Sequence, residues 1–90
     1  MINEIIYRTQ FKKDFKRVIK QGKKPEEFEA IFNMLVDGKP IPPKHKDHPL
    51  TGDYNGYQEL HIKPDWLLIY KIEGETLILV RTGSHPELFG

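Results

Sequence analysis

Three strand-like runs joined by very short connections constrain the fold of this chain more than any other feature of its sequence. The runs cover residues 57–62, 66–72 and 76–82, and three residues join each run to the next. Connections this short join antiparallel neighbours, because a parallel pair needs a crossover of about a dozen residues or more. The middle run is apolar at both sets of alternating positions, which is typical of a central strand that is covered on one face and partly enclosed on the other. The sequence therefore predicts a three-stranded antiparallel meander.

A strand and two helices are predicted before the meander. Residues 2–7 are rich in β-branched and aromatic side chains and predict a short first strand. Thr9 lies at the N-cap position of a first helix, which ends near Gly22. Pro25 begins a second helix, which Gly38 terminates. Apolar side chains recur at helical spacing in both segments: Phe11, Phe15, Val18 and Ile19 in the first, and Phe28, Ile31, Phe32, Leu35 and Val36 in the second.

Residues 39–56 contain four prolines and two glycines. This density of breakers predicts an irregular loop without any regular element. A loop of this length in a compact domain is usually functional or disordered, and its prolines favour a loop held in one shape. Lys46 and His48 are therefore candidate site residues, whereas His45, between two lysines, is predicted to be a solvated loop residue.

These elements predict a single domain over residues 1–90. The predicted fold is α+β with the order βααβββ, in which an antiparallel sheet carries a helical hairpin on one face. The chain has no cysteine, so disulfides, Cys-ligated zinc and thiol nucleophiles are excluded. No apolar run approaches the roughly 18 residues of a membrane span, and the N-terminus lacks a signal-peptide pattern. The expected location is cytoplasmic, with no membrane partner.

Basic residues are concentrated near the N-terminus. Residues 8–24 contain eight Lys or Arg side chains and a single acid, Asp14. This density favours a polyanionic partner, although a solvated helix face explains it equally well. The basic residues are Arg8, Lys12, Lys13, Lys16, Arg17, Lys20, Lys23 and Lys24.

Strand alternation assigns faces to the polar side chains of the meander. Glu59 and His61 fall on one face of its first strand. In the last strand, Arg81 is expected to share a face with Leu77 and Leu79.

Five side chains are expected to meet at one end of the sheet. The end of the third meander strand lies beside the start of the second, so Arg81 is expected to approach Trp66 and Asp65. His85 follows soon after, and the proline-rich loop can bring His48 over the same edge. The expected cluster consists of His48, His61, Asp65, Arg81 and His85.

Such a cluster can cleave RNA without a metal ion. One histidine could take the proton of a ribose 2′-hydroxyl while another gives a proton to the departing 5′-oxygen. Arg81 would stabilise the charge that builds on the phosphorane, and DNA should not react because it lacks the nucleophile. The same residues could instead have ordinary structural roles or bind a metal, since imidazole and carboxylate suit Zn, Ni or Mn.

Three segments resemble the YafQ-type toxins of the RelE/ParE superfamily. They are KDHPL at residues 46–50, GYQELHIKPDWLLIYKI at residues 56–72 and RTGSHPELFG at residues 81–90. The resemblance extends over the whole chain and includes the βααβββ order. It implies a toxin of a type II toxin–antitoxin system, an endoribonuclease that enters the ribosomal A site and cuts the translated mRNA.

The resemblance also implies partners and residue roles. A cognate antitoxin is the expected protein partner, and no cofactor or metal is expected. Trp66 matches a position interpreted as structural, and Lys46 is a further RNA-binding candidate. The acid–base set would be His48, His61, Asp65 and His85, with Arg81 and Phe89 binding the scissile phosphate and orienting a base. The candidates for contacts with ribosomal RNA include Lys12, Lys13, Lys16 and Arg17.

Two other functions remain open from the sequence. One is a ParE-like toxin that inhibits a topoisomerase by contact and has no nuclease activity, although ParE-type relatives lack the histidine set. The other is a hydrolase that uses the His and Asp side chains as metal ligands.

Overall fold

Five strands form one sheet, and two helices cover one of its faces. The computed structural model describes all 90 residues. The elements are β1 Glu4–Tyr7, α1 Thr9–Lys20, α2 Pro25–Val36, β2 His48–Pro49, β3 Gln58–Lys63, β4 Trp66–Glu73, β5 Thr76–Gly83 and α3 His85–Phe89. The α+β class and the predicted order of the main elements are confirmed, and β2 and α3 are additions. No helix has both the length and the apolar character that a membrane span requires.

The strand order in the sheet is β1-β5-β4-β3-β2, so β4 is central. The pairs β3–β4 and β4–β5 are antiparallel, which confirms the meander. β1 pairs with β5 in parallel, with Ile5 opposite Leu77. The prediction of a wholly antiparallel sheet is therefore wrong at this edge. The first and last strands can pair in parallel because the rest of the chain supplies the long crossover that such a pair needs.

The helical hairpin follows the predicted apolar spacing. The rings of Phe11 and Phe15 on α1 lie 5.8 Å apart, and Phe15 meets Phe28 of α2 at 5.1 Å. α2 begins at Pro25 as predicted. The predicted N-cap of α1 is wrong by one residue, because Arg8 occupies the cap position and its side chain makes no capping hydrogen bond.

The sheet has apolar side chains on both faces. The face toward α1 and α2 carries the larger core, which includes Leu60, Trp66, Leu68, Tyr70, Leu77 and Leu79. The opposite face carries a smaller cluster of Leu67, Ile69, Ile78, Val80 and Leu88, with Leu50, Tyr54 and Tyr57 packed against it. We call this second face the open face, since only α3 and part of the loop cover it.

The proline-rich loop contains short regular elements. One turn of 3₁₀ helix lies at Pro43–His45 and another at Gly52–Tyr54, and between them His48 of β2 lies opposite Glu59 of β3. The prediction of a loop without regular elements is therefore wrong. β2 is an edge strand, where a proline removes no hydrogen bond from the sheet.

Candidate active site

One row of opposed residues crosses the open face from β2 to β5. His48 lies opposite Glu59, and Glu59 lies opposite Ile69. Ile69 in turn lies opposite Arg81. Opposed residues on neighbouring strands share a face of the sheet, so the row brings His48, Glu59 and Arg81 to the open face. His61 lies on the same face, two residues along β3 from Glu59.

Two histidines meet at the carboxylate of Glu59. His48 Nε2 is 3.1 Å from Glu59 Oε1, and His61 Nε2 is 3.6 Å from the same oxygen. The Glu59 side chain is only 7% exposed, whereas those of His48 and His61 are 48% and 24% exposed. The expected approach of His48 to His61 is confirmed. The sequence placed Glu59 on the face of His61, but only the pairing of β2 with β3 brings His48 to it.

A β-bulge determines the face on which Arg81 lies. The β4–β5 register shifts so that Arg81 is opposite Ile69 while Leu79 is opposite Tyr70. Val80 is the extra residue on β5, and Arg81 therefore moves to the face opposite that of Leu79. The prediction that Arg81 shares the face of Leu79 is wrong for this reason.

The Arg81 guanidinium is held by the buried carboxylate of Asp14 on α1. Arg81 Nε donates to Asp14 Oδ2 at 2.7 Å and Nη2 donates to Oδ1 at 3.2 Å. Burial raises the pKa of Asp14, but hydrogen bonds from Arg81, Gln10 and the Thr82 amide outweigh burial and hold that pKa below its ordinary value. The hydrogen bond to Asp14 is the main cause that raises the pKa of Arg81, and the Tyr54 side chain adds to it.

Asp65 lies outside the histidine cluster. Its side chain is 72% exposed, and Lys23 Nζ donates to Asp65 Oδ2 at 2.7 Å, which lowers the pKa of Asp65. The predicted approach of Arg81 to Asp65 and Trp66 is wrong. β5 continues to Gly83, so residues beyond Arg81 pair with the start of β4 and Arg81 is opposite Ile69.

The indole of Trp66 is buried on the helix side of the sheet. Its Nε1 donates to Thr82 Oγ1 at 2.8 Å, and Thr82 Oγ1 donates to the Leu67 carbonyl at 2.7 Å. These contacts confirm the structural interpretation of Trp66.

α3 brings His85 and Phe89 to the open face. Their rings lie 4.9 Å apart, and the Phe89 ring is 5.7 Å from that of Tyr54. Leu88 between them is buried in the open-face cluster. This helix was not predicted from the sequence.

Glu87 anchors α3 at its N-terminus and to α1. Glu87 and Ser84 form a capping box, Gln21 Nε2 donates to Glu87 Oε2 at 2.9 Å, and Arg17 Nε lies 3.2 Å from the same oxygen. The hydrogen bond from the Ser84 amide, followed by that from Gln21, lowers the pKa of Glu87 from 4.5 to about 2. Arg17 also lies 3.3 Å from Asp14, so its guanidinium bridges the carboxylates of Asp14 and Glu87.

His45 and Lys46 lie beside His61. His45 Nδ1 is 2.7 Å from the His61 carbonyl oxygen, and the ring is half-buried, so the prediction of a solvated residue is wrong. Lys46 has a left-handed backbone with φ of 48°. Together with Lys44, Lys63 and His61 it lines a cavity of about 370 Å³.

α1 presents an exposed basic surface that faces away from the sheet. Lys12, Lys13 and Lys16 are exposed and form no ion pair within the chain.

The open face combines groups for proton transfer with groups for phosphate binding. Two accessible imidazoles on a buried carboxylate can exchange protons with a bound ligand. Arg81 can bind a phosphate, and the Phe89 and Tyr54 rings can stack on a base. The ligand atoms of His48, Glu59 and His61 also lie within 4.8 Å of one another, a spacing that suits a divalent metal ion.

Comparisons with known proteins identify the class to which this fold and site belong, the small bacterial toxins of type II toxin–antitoxin systems. The model of the YafQ family of these toxins matches residues 3–90. The chain is 40% identical to the mRNA interferase toxin YafQ of Escherichia coli K12 over 88 residues, which are 97% of this chain and 96% of that protein. The chain belongs to the YafQ toxin family.

Solved structures agree with this assignment. The crystal structure of the E. coli DinJ–YafQ complex matches with a TM-score of 0.90 at 39% identity, covering 98% of this chain and 99% of that one. A metal-bound toxin from Helicobacter pylori matches with a TM-score of 0.90 at 42% identity, covering 99% of this chain and 100% of that one.

Proposed function

We propose that this toxin is a ribosome-dependent endoribonuclease that cuts translated mRNA in the cytoplasm without a metal ion. The observation that carries the proposal is the pair of histidines on one buried carboxylate: His48 and His61 lie 3.1 and 3.6 Å from Glu59, in the same open face as Arg81. The E. coli relative that carries the name mRNA interferase supports mRNA as the substrate.

The proposed reaction is an attack of the ribose 2′-oxygen on the neighbouring phosphorus. One histidine takes the 2′-hydroxyl proton, the bond from phosphorus to the 5′-oxygen breaks, and a second histidine protonates that oxygen. The products are a 2′,3′-cyclic phosphate and a free 5′-hydroxyl. The histidines are drawn from His48, His61 and His85, while Arg81 stabilises the phosphorane and Phe89 stacks on a base.

Glu59 holds the two histidines side by side. Its carboxylate oxygen lies 3.1 Å from His48 Nε2 and 3.6 Å from His61 Nε2, so both rings reach the same part of the open face. Asp65 lies outside this cluster. Its proposed role in proton transfer is therefore tested by a variant of its own, Asp65→Ala.

The exposed basic surface of α1 is proposed to contact ribosomal RNA through Lys12, Lys13 and Lys16, and Lys46 is proposed to contact the message beside His61. Contacts of lysine with phosphate release counterions, so binding to the ribosome should weaken steeply as salt rises.

A cognate antitoxin is the proposed protein partner. The E. coli relative forms a complex with DinJ. An acidic segment that folds on binding would complement the basic surface of the toxin.

A metal-dependent hydrolase is the second candidate. His48, Glu59 and His61 supply two imidazole nitrogens and a carboxylate oxygen within 4.8 Å, which is the number of protein ligands in many catalytic zinc sites. The H. pylori relative with bound metal supports this candidate. In such an enzyme these residues would hold a metal that activates water.

A reconstituted translation reaction tests both candidates. Primer extension maps the cuts in a translated message for the wild type and for His48→Ala, His61→Ala, His85→Ala and Asp65→Ala. Asp37→Ala, an exposed acid at the end of α2, is the control for Asp65. A chelator selective for transition metals is added in one arm, since it leaves the Mg²⁺ of the ribosome in place.

If the proposal is correct, cleavage continues in the presence of the chelator. The cleavage rate is expected to fall about 10²–10⁴-fold in the histidine variants. Cleavage that the chelator abolishes, together with stoichiometric Zn²⁺ or Ni²⁺ binding in calorimetry, favours the metal-dependent hydrolase. Inhibition of DNA gyrase without any cut in RNA favours a binding toxin.

A further inference from the structure

Asp14 is a buried acid that the proposed acid–base scheme does not use. It is the only acid on α1, and its side chain is completely buried. Burying an ionised carboxylate is costly unless it is paired and hydrogen-bonded. Asp14 meets this condition through Arg81, the Thr82 amide at 3.3 Å and Gln10 Nε2 at 3.0 Å.

Arg81 pairs with β4 on one side of β5, but on the other side the sheet supplies no neighbouring strand at its position. β1 ends at Tyr7, which is opposite Leu79, so β5 is an unpaired edge at the position of Arg81. An arginine on an open edge has many accessible rotamers. The carboxylate of Asp14 occupies this edge and binds both Nε and Nη2 of Arg81, which fixes the plane of the guanidinium.

The contact with Asp14 leaves part of the guanidinium free for a ligand. Asp14 accepts two of the five N–H groups, and of the three that remain one has the Tyr54 side chain as a partner. Arg81 lines a cleft of about 510 Å³ together with Tyr54, Tyr57 and Arg8, and its side chain is 22% exposed. This cleft contains two cations, two aromatic rings and one acid, Asp53, so its charge remains positive and its rings can stack on the base of a nucleotide.

We propose that Asp14 is a positioning residue that holds Arg81 in the orientation in which its free N–H groups bind the RNA phosphate. This inference rests on the proposed RNA cleavage. A donor that is already oriented costs no reorganisation when charge develops on the phosphorane, so Asp14 acts on catalysis through Arg81.

A double-mutant cycle separates positioning from a purely structural role. The four proteins are the wild type, Asp14→Asn, Arg81→Ala and the double variant, each expressed with the cognate antitoxin and then freed from it. Asparagine keeps the size of the side chain and an acceptor for the Thr82 amide. Single-turnover cleavage of a ribosome-bound message and a thermal melt are measured for each protein.

The expected loss is about 10²–10³-fold in cleavage rate for Arg81→Ala. Asp14→Asn should lower the cleavage rate about 10–100-fold when Arg81 is present. In the Arg81→Ala background it should lower the rate less than about twofold, because the two residues act as one unit. Equal losses in both backgrounds would overturn the proposal, because they would show that Asp14 acts without Arg81. Thr82→Val removes the two buried hydrogen bonds of the Thr82 hydroxyl, with Trp66 and with the Leu67 carbonyl, and keeps the amide that binds Asp14. It serves as the control that lowers the melting temperature and leaves the rate unchanged.

Asp14→Glu is the second variant if Asp14→Asn does not fold. It keeps the charge and moves the carboxylate by one methylene group. Its loss of cleavage rate should again be large when Arg81 is present and small in the Arg81→Ala background.

NMR of the arginine Nε–H groups distinguishes this proposal from the proposed function. Arg81 Nε–H should exchange slowly in the wild type and rapidly in Asp14→Asn, in contrast to the exposed Arg8. Rapid exchange in the wild type would overturn the positioning role directly. Slow exchange in a protein that cuts no RNA would show that the proposed function fails while the Asp14–Arg81 contact exists.

Discussion

Replacing Glu87 with alanine should release α3 from the open face. α3 has five residues, of which only Leu88 is buried, so polar contacts of Glu87 supply much of what holds the helix. The carboxylate accepts hydrogen bonds from the Ser84 amide at 2.8 Å and from Gln21 at 2.9 Å, and Arg17 lies 3.2 Å from it. The variant should therefore loosen the segment that carries His85 and Phe89.

The pKa of Glu87 gives the size of the effect. Its fall from 4.5 to about 2 corresponds to at most about 3.4 kcal/mol, and screening at a side chain that is 27% exposed reduces this to about 1–2 kcal/mol. The ratio of docked to released α3 should then fall by at most about 5–30-fold, because the largest cause of the lowered pKa is the amide of Ser84, the N-cap of α3 itself. Because the pKa is lowered in the folded state, this stabilisation is complete above the unfolded pKa of about 4.5 and is lost as the pH falls toward 2.

Hydrogen exchange of the α3 amides measures the release, and single-turnover RNA cleavage measures its consequence. Exchange should accelerate by the same 5–30-fold factor or less, and cleavage should slow by no more than this factor. Glu29→Ala, an exposed glutamate on α2, should change neither. Unchanged exchange would refute the role of Glu87 as an anchor. Faster exchange with unchanged cleavage would exclude α3 from the active site.

Three further predictions concern the core, the basic surface and the pH profile. Trp66→Phe removes a buried hydrogen bond and part of the core volume. It should lower the free energy of unfolding in urea by about 2–3 kcal/mol and the Tm by about 10–20 °C. Alanine at Lys12, Lys13 and Lys16 together should lower the salt slope of ribosome binding by about 2–3 and leave the melt unchanged, and an unchanged slope would favour a solvated helix face. If two histidines share proton transfer, the cleavage rate should follow a bell-shaped dependence on pH. A rate that does not change with pH would contradict proton transfer by two histidines.

The helices and the meander were predictable because their signals are local. Phe11 and Phe15 recur at helical spacing, Pro25 begins α2, and connections of three residues allow only hairpins. The capping box of Ser84 and Glu87 is an equally local signal, and it could have predicted α3.

The site was less predictable because it depends on register between distant segments. No local pattern places His48 opposite Glu59, and the bulge at Val80 that moves Arg81 to the open face has no sequence signature. The parallel pairing of β1 with β5 likewise joins the two ends of the chain. Alternation alone therefore gave the correct face for His61 and the wrong face for Arg81.

The identity of the nucleophile tests the central claim most directly. A message with one 2′-deoxynucleotide at the mapped cleavage position is presented in the ribosomal A site, and the ends of the products are analysed for the matching all-ribose message. Attack by the 2′-hydroxyl predicts no cut at the deoxy position and, in the control, a 2′,3′-cyclic phosphate with a free 5′-hydroxyl. Cleavage at the deoxy position with a 5′-phosphate would contradict the account and favour metal-activated water.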